Sequence, residues 1–84
     1  MRVRILYFAA LRETLGSAGE AVDLPAGVAT LSQLRDHLAA RGGDWAALTT
    51  MKNLKAAINQ GMAGPEAPLA EGDEVAFFPP VTGG

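Results

Sequence analysis

"RVRILYFA", residues 2–9, is the stretch whose reading decides the fold. Its β-branched and aromatic side chains predict a strand. Successive side chains of a strand face opposite ways, so Val3, Ile5 and Tyr7 share one face while Arg4, Leu6 and Phe8 share the other. Arg4 marks the second face as outward. The matching stretch is "EVAFF", residues 74–78, stopped by Pro79. Glu74 and Ala76 share the parity of Phe78, and Val75 shares that of Phe77, which places Phe77 inside and Phe78 outside. These two segments carry the densest apolar residues, so they are predicted to be central and adjacent. If they run parallel, the long segment between them is the crossover that such pairing requires.

That segment contains the clearest helix signal. Thr30 and Gln33 have capping-box spacing, and Leu31, Leu34 and Leu38 recur as one buried stripe. Arg41 falls in the last turn of a helix over 30–41, and Gly42-Gly43 supply a left-handed stop. "LRETLG" (11–16) predicts a helical turn and "EAVDL" (20–24) a second strand, closed by Pro25 and Gly27. "DWAALTTM" (44–51) reads as a short helix with Asp44 as its N-cap and Trp45 in the core. "LKAAINQ" (54–60) reads as a strand with Ile58 on the parity opposite Lys55, "GMAGPEAP" as a loop and "AEGDE" as a turn. Early strands, one good helix and late strands predict an α+β roll, a mixed sheet with the helix across one face.

Composition narrows the function. The chain has 84 residues, 49% of them apolar, and a formal net charge of −2, which describes one small domain without a basic field for nucleic acid or an anionic membrane. It has no cysteine, which removes disulfides, thiolate metal sites and any side-chain thiol able to carry sulfur or an acyl group. No run approaches the roughly 20 apolar residues of a membrane span. The charged, apolar start is too short for a signal peptide, so a soluble cytoplasmic protein is expected.

Few residues suggest chemistry. His37 reads as a boundary histidine on the 30–41 helix, without a second ligand or nucleophile near it in sequence. Glu71, Asp73 and Glu74 read as a turn entering a strand. Gly61 and Gly64 lack the Lys-Ser/Thr and the following helix of a phosphate loop. No nucleophile–base pair and no metal spacing can be assembled, so the chain is a poor candidate for an enzyme on its own.

What remains is an outward apolar patch and the tail. Leu6, Phe8 and Phe78 face outward by parity, extended by Met62 from the loop after the third strand, and such patches usually mean docking. The alternative is that the 44–51 helix covers this face. Pro79 and Pro80 lack N–H groups and end the sheet, holding the chain extended. From Val81 to Gly84 the chain can reach on the order of 13 Å further. Gly83 and Gly84 have no Cβ, so a narrow tunnel can admit them and the Gly84 carbonyl carbon is open to attack.

These residues carry a resemblance. "GDEVAFFPPVTGG" resembles the closing signature of the MoaD family of ubiquitin-like sulfur carriers, the small subunits of molybdopterin synthase. "VRILYFAALRETLG" and "AAINQ" fit the same family, whereas residues 30–41 and 42–53 match only in character. The resemblance implies a β-grasp (ubiquitin-like) domain over residues 1–78 and an extended diglycine tail over 79–84. It implies that an ATP-dependent, E1-like activating enzyme adenylates the Gly84 carboxylate and that a sulfur donor converts the adenylate to a thiocarboxylate. Val81, Thr82 and Gly83 would then carry Gly84 into the large synthase subunit, where sulfur passes to cyclic pyranopterin monophosphate to build a dithiolene. The family's interface falls on Phe8, Met62, Phe78, Pro79 and Pro80, with Arg12 of "LRE" as a further polar contact. It implies a heterotetramer of two small and two large subunits, no metal, and no cofactor bound by this chain, with ATP used by the activating enzyme. Two rival readings share the diglycine end: a sulfur carrier for thiamine thiazole synthesis, and a ubiquitin-like modifier joined through Gly84 to lysines. A third is a plain binding module with an inert tail.

Overall fold

A computed structural model of the chain describes residues 1–80; Val81, Thr82, Gly83 and Gly84 lie outside the described residues. The elements in chain order are β1 (Arg2–Tyr7), α1 (Ala9–Leu15), β2 (Gly19–Asp23), α2 (Leu31–Ala39), a 3-10 turn (Gly43–Ala46), α3 (Ala47–Thr50), β3 (Lys55–Ile58), β4 (Gly61–Met62) and β5 (Glu74–Phe78). The strands form one mixed sheet in the order β2-β1-β5-β3-β4. β1 and β5 are parallel neighbours at its centre, and every other pairing is antiparallel. The expected central pair is therefore present, with the rest of the chain as its crossover.

The parity of β1 and β5 holds residue by residue. Val3, Ile5, Tyr7, Val75 and Phe77 are buried, at 2% exposure or less, and Leu34 and Leu38 of α2 close over them at 0%. Removing these side chains from water supplies the main driving force, about 1.5–3 kcal/mol for each large one. α2 begins where the sequence places it. The Thr30 hydroxyl accepts from the Gln33 N–H at 3.3 Å, and the Thr30 N–H donates to the Gln33 side-chain oxygen at 3.1 Å. The loop after β4 satisfies two more free N–H groups of that first turn: Leu31 donates to the Ala67 carbonyl at 3.0 Å and Ser32 to that of Pro65 at 2.8 Å.

Five local expectations need correction. The turn at 11–16 is a full helix from Ala9, and Phe8 is its N-cap residue rather than a strand residue. α2 ends at Ala39 with Ala40 as C-cap, so Arg41 lies beyond it; Gly42 and Gly43 do take positive φ, +83° and +57°. Asp44 is not an N-cap, because the left-handed stop runs straight into a 3-10 turn whose cap is Gly42. Asn59 and Gln60 are not strand but the tip of a β3–β4 hairpin, with φ +50° and +70°, and Gly61–Met62 pairs with Ile58 and Ala57 as a short fourth strand. Trp45 is half-buried against the core rather than in it.

Trp45 belongs to a cluster that closes the β2 edge. Glu20 lies opposite Ile5 on the core face of β2, and its carboxylate accepts from both terminal nitrogens of Arg41, at 2.8 and 3.0 Å, and from the Tyr7 hydroxyl at 2.9 Å. The Arg41 guanidinium stacks 4.4 Å above the Trp45 ring, and Tyr7 meets Trp45 edge-on at 5.6 Å. The hydrogen bonds from Arg41 hold the Glu20 carboxyl below its usual pKa range, against an opposing push from burial. Burial, reinforced by Glu20, pushes the Tyr7 hydroxyl well above its usual range. A charged residue pointing inward on an edge strand also discourages pairing with another sheet.

Candidate functional site

The register of the five strands lines up one row on the face opposite the helices. Gly19 pairs with Leu6, Leu6 with Ala76, Ala76 with Ala57, and Ala57 with Met62, crossing the sheet from edge to edge. Four of the five are apolar, and the row is low at Gly19, where a Cβ would come within 2.6 Å of the Ile5 carbonyl oxygen. One step toward the end of β5, Phe78 pairs with Lys55, and the Phe8 N–H donates to the Phe77 carbonyl at 3.2 Å. One step the other way lie Arg4 and Glu74, register partners that give that border its charge.

Phe8 is 43% exposed and Met62 68%, while Leu6 and Phe78 are half-buried. The 44–51 segment does not cover this face. Leu48 of α3 is 1% exposed within the core cluster, so that segment packs on the side of α2. Pro79 is half-buried and Pro80 exposed, and they leave the sheet directly beside Phe78. Arg12 is exposed on α1, and its N–H donates to the Phe8 carbonyl at 3.3 Å. The structure thus gathers Phe8, Phe78, Pro79 and Pro80 at one end of the outer face, with Arg12 one helical turn from Phe8 and Met62 at the far edge. The expectations for Val81, Thr82, Gly83 and Gly84 fall outside the described residues.

Sequence reading put Ala76 on the outward parity of Phe78 but gave Ala57, Ala76 and Lys55 no place in the docking patch. The parity that set Ile58 opposite Lys55 also sets Ala57 beside Lys55 on the outer face, so that signal was present. Ala57 is buried and Ala76 half-buried, whereas Phe8 and Met62 are exposed. Between α2 and the β3–β4 hairpin lies a cleft of about 250 Å3, lined by Leu31, Arg35, Leu54, Ala56, Ala63 and Phe77 among others. No carboxylate or histidine lines it, and among the described residues no group of three His, Cys, Asp or Glu could hold a metal ion. No helix among those residues is long and apolar enough to cross a membrane.

A helix laid across a five-stranded sheet, with parallel first and last strands at its centre and an apolar outer face beside the exit of the chain, defines a ubiquitin-like β-grasp protein. The chain belongs to the ThiS family, whose model matches residues 5–84. It is 44% identical over 82 residues to the molybdopterin synthase sulfur carrier subunit of Escherichia coli (strain K12), covering 98% of this chain and 99% of that one. It is 43% identical, with the same coverage, to the molybdopterin synthase sulfur carrier subunit of Haemophilus influenzae. Among solved structures it resembles the small archaeal modifier SAMP1 from Haloferax volcanii, with a TM-score of 0.80, 30% identity and full coverage of both chains.

Proposed function

We propose that this chain is the sulfur-carrying small subunit of a molybdopterin synthase in the cytoplasm, and that it supplies a reactive end rather than a catalytic site. The observation that carries this reading is identity of 44% over 98% of the chain to a protein of that name. The chemistry follows from the composition. A carboxylate is a poor acyl donor until its oxygen becomes a good leaving group. An E1-like enzyme would join the Gly84 carboxylate to AMP, releasing pyrophosphate from ATP, and a sulfur donor would then displace AMP to leave a thiocarboxylate. Without cysteine, the chain has no side-chain thiol to hold that sulfur. The outer face bearing Phe8, Phe78 and Met62 would dock on the large subunit. Pro79 and Pro80 would hold the tail off the sheet while Val81, Thr82 and Gly83 enter that subunit's site. Sulfur would pass there to cyclic pyranopterin monophosphate, within an assembly of two small and two large subunits.

Incubation with ATP, the activating enzyme and a sulfur donor, followed by mass spectrometry of the terminal peptide, tests the reading. One oxygen of Gly84 should be exchanged for sulfur, and an unchanged mass would sink it. The likeness to SAMP1, at 30% identity, favours a second reading as a modifier joined through Gly84 to lysines. Lysine adducts formed on activation, in place of a terminal thiocarboxylate, would establish that reading instead.

A further inference from the structure

Ala9 opens α1 directly after Phe8, the one residue between β1 and that helix. The Phe8 N–H donates to Phe77 of β5 at 3.2 Å, and the Phe8 carbonyl accepts from Arg12 at 3.3 Å. Phe8 itself is extended, at φ −123° and ψ 156°. The chain must therefore turn out of the sheet and into a helix within one residue, and Ala9 does so at φ +53°. In that left-handed region the Cβ of an L-residue crowds its own backbone, and glycine takes the conformation freely. Asn53 and Asn59 also have positive φ, but asparagine tolerates it, and Gln60 sits at a hairpin tip that demands it. Ala9 has neither reason. Its methyl is exposed, so filling the core does not explain it either.

Strain of this kind persists where the surroundings hold it, and it gathers at working sites. Here it adjoins Phe8, 43% exposed on the docking face, while Leu11 two residues beyond Ala9 is wholly buried. A Cβ confines residue 9 to fewer conformations than glycine would have, so less freedom is lost when Phe8 is seated against a partner. We propose that Ala9 is the positioning residue for Phe8: its left-handed turn, pinned between Phe77 and Arg12, keeps the Phe8 ring outward and pre-set for docking. This rests on the docking role assigned to the outer face above.

The test sets stability against association. Ala9→Gly relieves the crowding, so thermal stability should hold or rise. Dissociation from the large synthase subunit should nonetheless quicken by roughly five- to tenfold, and amide exchange at Phe8 should quicken relative to Tyr7. A chain assembled with D-alanine at residue 9 keeps the methyl and takes positive φ without crowding, so it should restore slow dissociation. Phe8→Ala serves as the reference. If Phe8→Ala weakens association and Ala9→Gly does not, this inference fails and the docking role stands. If Ala9→Gly lowers stability and association together, Ala9 is merely structural and the inference also fails. If Phe8→Ala leaves association unchanged, the docking role falls and this inference with it.

Discussion

Phe77 and Phe78 are consecutive residues with opposite allegiances: the Phe77 ring is 2% exposed under α2, and the Phe78 ring lies across from Lys55 on the outer face. Truncating them should therefore damage different properties. Phe77→Ala should cost about 3–5 kcal/mol of folding stability, the usual penalty for an aromatic cavity. Phe78→Ala should cost less stability but weaken association with the large subunit by about 2 kcal/mol, as loss of a central anchor does. Urea unfolding and titration calorimetry on both variants check the pair; a milder effect of Phe77→Ala on folding would reverse the assignment of faces.

Deleting Gly84 should abolish sulfur transfer while leaving the melting temperature unchanged, because the buried core cluster and the five strands are built from residues 2–78. Single-turnover assays with preformed synthase, run beside thermal melts, give both measurements.

The Glu20 carboxylate is held below its ordinary pKa by Arg41. Its folded value is thus lower than its unfolded one, and the unfolded chain binds the proton first as pH falls. The stability it contributes is present above its ordinary value of 4.5 and is lost as pH falls toward the depressed folded value. Glu20→Gln should flatten that part of the stability–pH curve and cost on the order of 1 kcal/mol at neutral pH, since the pair is partly solvated. Denaturant unfolding of both proteins across the acid range makes the comparison.

Thr30→Ala removes the side-chain half of the α2 cap and should cost about 1 kcal/mol. Serine at the same position should recover most of it. A loss well below a few tenths of a kcal/mol would mean that the carbonyls of Pro65 and Ala67 already suffice to hold that helix end.

The parts legible in the sequence were those set by short-range periodicity. Alternation in residues 2–8 and 74–78 needs only neighbouring positions, and it placed the central strands, the core face and the outward aromatics. The Thr30–Gln33 box is likewise local. Features decided by distant partners were not readable. Gly61–Met62 is a strand only because Ala57 and Ile58 offer it an edge, and Glu20 meets Arg41 across 21 positions. Asp44 has the chemistry of an N-cap, but Gly42 occupies that position when the chain turns left-handed. Ala9 gave no signal at all, because alanine is a helix former whose Cβ disfavours positive φ. For the site, parity located Phe8 and Phe78, but the small residues between them became meaningful only once the register joined Leu6, Ala76 and Ala57 in one row.

The parallel pairing of β1 with β5 also bears on how the chain is made. Synthesis proceeds from the N-terminus, so the first strand to emerge waits for nearly the whole message before its central neighbour exists. Until then β1 has β2 on one side and an open ladder on the other. A chain that ends before residue 74 lacks β5 and leaves that edge of β1 without its parallel partner. β5, the last strand to be made and the one that leads into Pro79 and Pro80, is thus what completes the sheet.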